Sequence, residues 1–246
     1  IKGWNAHEFI DHPARLKKPL IRRNGRFVEA TWDEALALTA HRLAEIRDRH
    51  GSDSLAVLSS AKCTNEENFV MMRFARAVLG TNNVDHCARL CHASTVAGLA
   101  RAFGSGAMTN SIADIREAKV IVIIGSNTTE QHPIIAAEVI GAFDNGSRLV
   151  VIDPRRIQLT EFADLHLQLK PGTDVALING LMNVIIGEGL HNLGFIEARS
   201  EGFREATAII GKYTPGYVEQ ITGVPAGDLR AAARLYAKAE TAANLY

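Results

Sequence analysis

Ala118-Lys119-Val120-Ile121-Val122-Ile123-Ile124, closed by Gly125, is the stretch on which the fold turns. Five β-branched residues in succession are a strand signal, and a strand apolar on both faces belongs inside a sheet covered on both sides. Downstream, Pro133 to Phe143 reads as a helix with proline in its first turn. Arg148–Ile152 (RLVVI) is the next strand, halted by Asp153-Pro154, and Leu165–Leu169 is a shorter one. Asp174–Ile186 reads as a helix, and 193–239 as mainly helical with breaks near Gly211, Pro215 and Pro225. At Ala242 a further apolar strand begins.

The same alternation runs upstream. Ser94–Phe103 is helical and broken by Gly104 and Gly106, while Val84 opens an irregular run into Cys91. Glu66–Leu79 is predicted as one helix ended by Gly80, and Ser54–Ser59 as a short buried strand. The first helix opens at Thr31, with Thr31 and Glu34 in a capping box, and stops at Gly51. Residues 1–30, punctuated by Pro13, Pro19 and Gly25, hold no long periodic segment. Strands alternating with helices predict an α/β fold, a parallel sheet flanked by helices in the manner of dinucleotide-binding domains. The division expected is 1–80, the start of a subunit with part of a first α/β domain, and 81–246, a second α/β cofactor-binding domain. Both ends read as cut, so the chain is expected to be an incomplete part of a multidomain subunit.

The 246 residues are 47% hydrophobic and 22% charged, an ordinary globular composition. Lys plus Arg and Asp plus Glu are both 27, so no net field draws the chain to nucleic acid. Lys17, Lys18, Arg22 and Arg23 form a local basic cluster that suits a solvated face or a subunit contact. The apolar run Val120–Ile124 is too short to span a bilayer. Three cysteines and no leader-like start fit a reducing, cytoplasmic setting.

Parallel sheets bind ligands beyond the carboxyl ends of their strands, which singles out loops 60–65, 125–133, 153–156 and 170–174. Gly125-Ser126-Asn127-Thr128-Thr129-Glu130 joins the best strand to a helix start, where backbone N–H groups favour phosphate. The alternative is a plain polar turn. Asp153 can accept from a ribose or a purine amino group, and Arg155 and Arg156 can neutralise a diphosphate; the alternative is an Asp-Pro turn with solvated arginines. Gly172-Thr173-Asp174 opens another helix, where Thr173 or Asp174 could equally serve as an N-cap. Taken together, the loops favour a dinucleotide-like ligand across the sheet edge.

The densest chemistry is His86-Cys87-Ala88-Arg89-Leu90-Cys91-His92, with Cys63 upstream. Three readings stand: a zinc or iron–sulfur site from Cys63, Cys87, Cys91 and a histidine; a Cys91 nucleophile activated by His92; or buried, inert cysteines.

Thr81-Asn82-Asn83-Val84-Asp85-His86-Cys87-Ala88-Arg89-Leu90-Cys91-His92 closely resembles the segment that carries the metal-ligating cysteine or selenocysteine of formate dehydrogenases, members of the bis-molybdopterin guanine dinucleotide oxidoreductases. Ala61 to Asn68 resembles that family's loop near a pterin. Gly125 to Pro133, Asp153 to Arg156 and Lys170 to Asp174 resemble its guanine dinucleotide loops, in the same order. Ile1-Lys2-Gly3 resembles the residues just after its amino-terminal iron–sulfur motif.

The resemblance implies that Cys91 binds molybdenum or tungsten, a soft thiolate beside the dithiolene sulfurs of a bis(molybdopterin guanine dinucleotide). His92 would handle the proton released from formate, and Lys2 would lie between a 4Fe–4S cluster and a pterin. Lys62, Asn65 and Cys87 would line a pterin. Gly125, Asn127, Glu130, His132, Asp153, Arg155, Gly172, Thr173 and Asp174 would hold the dinucleotides. The activity implied is reversible oxidation of formate to carbon dioxide, with electrons leaving through iron–sulfur or NAD-reducing partner subunits. The CxxC cluster motif, the family's substrate-side arginine and its carboxy-terminal domain are not in this sequence, so the stretch by itself is expected to be inactive. Another substrate within the superfamily, or a non-catalytic electron-transfer or assembly domain, is the competing expectation.

Overall fold

The computed structural model describes residues 3–246, and its contacts divide the chain after Ala107 into two compact units. The first begins with a short helix α1 (His7–Ile10) and a hairpin, β1 (Leu20–Arg23) and β2 (Arg26–Glu29), in register with Ile21 opposite Val28. Asn24 and Gly25 make its two-residue turn with φ of 48° and 79°, the Asn-Gly geometry that matches strand twist.

Helix α2 (Trp32–His50) starts where the Thr31 hydroxyl accepts the Glu34 N–H. Only half of the expected capping box forms there, because the Glu34 carboxylate turns to Arg23 on the hairpin. A full box occurs instead at helix α3 (Asn65–Arg73), where Thr64 Oγ1 accepts the Glu67 N–H and Glu67 Oε2 accepts the Thr64 N–H at 2.7 Å.

The single helix predicted over 66–79 is two pieces. After α3 the chain continues as a π-helix, Phe74–Leu79, whose end is a left-handed Gly80. Arg47 of α2 donates to the Val78 carbonyl at 3.1 Å, satisfying an acceptor at the end of that widened turn. Strand β3 (Val57–Ser59) is shorter than predicted, since Ser52–Ser54 forms a 3-10 turn. Strand β4 (Val84–His86) lies parallel to β3 with Ser59 opposite His86, where the sequence suggested an irregular run. Helices α4 (Ala88–Cys91) and α5 (Ala93–Phe103) follow without a buried residue, and the unit's small core is Leu55, Val57, Ala75 and Leu79. The boundary expected after residue 80 falls between the paired strands β3 and β4.

The second unit contains, in order, α6 (Asp114–Glu117), β5 (Val120–Ile124), α7 (Thr128–Gln131), α8 (Pro133–Asp144), β6 (Arg148–Ile152), a 3-10 turn and β7 (Leu165–Leu167). Helices α9 (Asp174–Gly187), α10 (Leu193–Arg199), α11 (Phe203–Ile210), α12 (Pro215–Thr222) and α13 (Ala226–Ala237) then lead to β8 (Ala242–Leu245). The sheet is parallel throughout, in the order β7-β6-β5-β8. Alternation sends Val120, Val122, Val150 and Ile152 to one side, against Leu177, Val218 and Leu229 of α9, α12 and α13. Ile121, Ile123, Leu149 and Val151 face the other side, against Ile115, Val139 and Ala142. Full burial of side chains such as Ile123 and Val151 stabilises by roughly 1.5–3 kcal/mol each. The expected α/β class, a parallel sheet flanked by helices, is the one observed.

From β5 the chain steps outward to β6 and then β7, and afterwards returns to place β8 on the opposite flank of β5. The order therefore reverses between β5 and β8. In open parallel sheets a reversal opens a crevice beyond the carboxyl ends of the two strands, and ligands occupy it.

Candidate functional site

In the first unit the chemistry collects beyond the carboxyl ends of β3 and β4. Cys87 has helical φ and ψ, and its carbonyl accepts the Cys91 N–H at 3.0 Å, so Cys87 and Cys91 stand one helical turn apart. Asp85 organises the turn. One carboxylate oxygen accepts the Arg89 Nε–H at 2.7 Å and the other accepts the His86 N–H at 2.9 Å. The Arg89 bond, then the His86 bond, hold the Asp85 carboxyl below its ordinary range. The His86 ring nitrogen Nδ1 accepts the Ala88 N–H at 2.9 Å. From the neighbouring strand end, the Ala61 N–H reaches the Cys87 sulfur at 3.2 Å, which brings the Lys62 and Asn65 loop beside the cysteine turn.

All three cysteines are free and exposed, so the buried, inert alternative does not hold. Among the described residues no three His, Cys, Asp or Glu side chains gather in a way that could hold a metal. The zinc or iron–sulfur alternative therefore has no ligand set. An exposed cysteine with no other ligating side chain gathered about it fits a metal whose remaining donors come from its own cofactor. His92 caps the end of α4 next in sequence to Cys91 and is exposed. Lys2 lies outside the described residues.

In the second unit, the loops that follow β5 and β6 stand side by side. Gly125 donates to the Ile152 carbonyl at 2.9 Å, carrying the ladder one residue past the strand, and then takes a positive φ of 59°. Ser126, Asn127 and Thr128 follow as buried polar residues, with the two hydroxyls 3.1 Å apart. Asn127 Oδ1 accepts from Thr129, whereas among the described residues nothing accepts from its Nδ2. Glu130 and His132 are exposed on and just after α7.

Asp153, only 4% exposed, closes its own turn by accepting the Arg155 N–H at 2.7 Å. The Arg155 guanidinium remains 3.9 Å from that carboxylate, with its side chain 69% exposed. His166 of β7 meets the Asp153 carbonyl at 2.9 Å and Gln168 donates to the Pro154 carbonyl at 2.9 Å, so β7 props the loop. Beyond β7, Gly172 has φ of 81° and open space where a Cβ would stand. Thr173 is not an N-cap by its side chain, because its hydroxyl donates back to the Lys170 carbonyl at 2.6 Å. Asp174 is exposed at the start of α9.

These residues suit a nucleotide. A buried carboxylate at a strand end, an amide with free donors and a solvated arginine are groups of the kinds that contact base, ribose and phosphate. Gly125 and Gly172 let a ligand approach the backbone. Ser126, Thr128, His166 and Gln168 were not singled out from the sequence. For the first two the signal was their place in a quoted loop; for the last two it appears only once β7 is set beside β6.

The crevice at the strand-order reversal belongs to the second unit and the exposed cysteine turn to the first. Residues 15–218 match the family described as molybdopterin oxidoreductase, and the chain belongs to that family. Among curated relatives, the F420-dependent formate dehydrogenase 1 subunit alpha of Methanococcus maripaludis is 49% identical over all of this chain and 36% of its own length. Formate dehydrogenase H of Escherichia coli is 45% identical, over all of this chain and 35% of its own. The chain thus spans little more than a third of these proteins. A solved structure, acetylene hydratase from Pelobacter acetylenicus, superposes with a TM-score of 0.77 at 30% identity, over all of this chain and 34% of that one. No helix among the described residues is long and apolar enough to cross a membrane.

Proposed function

We propose that this chain is part of the catalytic subunit of a formate dehydrogenase, which oxidises formate reversibly to carbon dioxide, a proton and two electrons. The observation that carries the reading is the exposed Cys91-His92 pair in a chain 45–49% identical throughout to proteins named formate dehydrogenase. A bis(molybdopterin guanine dinucleotide) of molybdenum or tungsten, when bound, supplies the two-electron chemistry.

The protein residues bind, orient and move the proton. Cys91 contributes its thiolate, and Lys62, Asn65 and Cys87 border a pterin. Gly125, Asn127, Glu130, His132, Asp153, Arg155, Gly172, Thr173 and Asp174 hold the dinucleotide portion. His92 takes the proton that leaves formate, since imidazole is the side chain suited to proton exchange near neutrality. Lys2 adds a cation on the path toward a 4Fe–4S cluster whose CxxC ligands residues 1–246 do not include. Electrons pass on to iron–sulfur or NAD-reducing subunits, and the enzyme works in the cytoplasm.

A second reading keeps the family and changes the substrate. It is favoured by the likeness to a protein named for acetylene hydration, because one scaffold supports more than one reaction. Formate-dependent viologen reduction by the intact polypeptide, purified anaerobically, separates the two. Robust reduction supports the first; a preparation loaded with metal and pterin but inert toward formate supports the second. Cys91→Ala in that polypeptide is expected to abolish turnover, and wild-type activity in the variant would sink the assignment.

A further inference from the structure

We propose that Asn68 and Cys87 are positioning residues that together set the Lys62 loop against the turn carrying Cys91. Asn68 lies in the first turns of α3 and is half-buried. Its Nδ2 donates to the Ser60 carbonyl at 3.2 Å and to the Thr64 carbonyl at 3.1 Å, the two ends of the loop that holds Lys62 and Cys63. Its Oδ1 accepts from the Ser59 hydroxyl at the end of β3. One amide thus ties together the strand end, the loop entrance and the loop exit. Inside the loop, Ser60 accepts the Lys62 N–H through Oγ at 3.1 Å and the Cys63 N–H through its carbonyl at 3.3 Å.

With those groups committed, the Ala61 N–H points out of the loop and meets Cys87 Sγ at 3.2 Å. The Cys87 carbonyl accepts the Cys91 N–H at 3.0 Å. Hydrogen bonds and short stretches of backbone therefore connect Asn68 to Cys91 by way of Cys87, which also borders the proposed pterin. Serine at 87 keeps an acceptor for the Ala61 N–H and alanine does not, so the pair of variants separates the hydrogen bond from the bulk of the side chain.

The importance of the arrangement rests on the proposed roles of Cys91 and Lys62, but its existence can be tested without them. Cys63, Cys87 and Cys91 fall in three separate tryptic peptides, 63–73, 77–89 and 90–101. In the intact polypeptide made without molybdenum or tungsten, alkylation of Cys63 is followed by mass spectrometry in wild type, Cys87→Ala and Cys87→Ser. Because Cys63 is already exposed, Cys87→Ala is expected to shift its rate measurably, by up to about the fivefold that one net hydrogen bond represents, with Cys87→Ser near wild type. Asn68→Ala is expected to shift the Cys87 rate within the same range.

Unchanged rates in Cys87→Ala, whose exposed position makes misfolding no explanation, overturn the coupling. In metal-loaded protein, the electron paramagnetic resonance signal of the one-electron-reduced metal is expected to shift in Cys87→Ala and return in Cys87→Ser. An identical signal in all three overturns the positioning role. A wild type that binds neither metal nor pterin overturns the functional reading instead, and the alkylation rates still decide the coupling.

Discussion

Arg234 on α13 grips Glu188, just past the end of α9, through two parallel N–H···O bonds of 2.7 and 2.8 Å. Hydrogen bonding from Arg234 holds the Glu188 carboxyl below its ordinary value of 4.5. A carboxylate with a depressed folded-state pKa contributes stability above its unfolded value and loses it as the pH falls through the folded one. Glu188→Gln is therefore expected to melt slightly lower at neutral pH and to converge on wild type in acid, below the folded pKa. Both side chains are substantially exposed, so the difference is small and shrinks with salt. Thermal melts of both proteins, stepped from neutral pH to about pH 3, check it; a gap that persists in acid counts against the pairing.

Gly180 on α9 faces Val218 of α12 and Leu229 of α13. A Cβ there would lie 2.8 Å from Val218 Cγ2 and 3.0 Å from Leu229 Cδ2. Gly180→Ala sets a helix-propensity gain of about 1 kcal/mol against a tight fit that side-chain ends can partly relieve, and is expected to be close to neutral. Gly180→Leu has no such room and is expected to cost about 1–3 kcal/mol by overpacking. Urea unfolding of the two variants distinguishes them, and a leucine variant as stable as wild type would show slack in that contact.

Asp153→Ala removes a buried acceptor and leaves the Arg155 N–H without its partner, at a cost of about 1–3 kcal/mol. Asp153→Asn keeps an acceptor oxygen and is expected to fold well, yet to carry less guanine nucleotide per polypeptide. Nucleotide released by acid and quantified by chromatography provides the measure; full occupancy in Asp153→Asn would remove Asp153 from the dinucleotide site.

His92→Gln is expected to lower kcat for formate by roughly 10²–10⁴-fold, the range for losing a positioned proton acceptor. Metal content should be unchanged. Viologen assays paired with elemental analysis decide the matter, and an unaffected kcat assigns the proton elsewhere.

Strands β5 and β6 were legible because unbroken β-branched runs have few alternatives, and the loops beyond them followed by position. Strand β4 was not, because Val84-Asp85-His86 is short, mostly polar and only partly buried. The hairpin was hidden among exposed arginines, although Asn24-Gly25 marked its turn. Phe-Ala-Arg-Ala-Val-Leu continues the apolar pattern of α3, so nothing local announces the π-helix at Phe74–Leu79. Candidate ligands such as Asp153 and Cys91 could be picked out by residue type. Their supports could not, since His166 and Asn68 matter only through partners that the folded chain brings to them.

Strand β8 meets the start of β5 across a sequence separation of 122 residues. Closing so long a loop costs more conformational entropy than any neighbouring strand pairing in the sheet, so this seam is expected to zip after β5, β6 and β7 have associated. One wall of the crevice is thus missing from a nascent chain until Ala242–Leu245 has left the ribosome. A ligand that needs both walls of that crevice is therefore expected to bind only once the seam between β5 and β8 has closed.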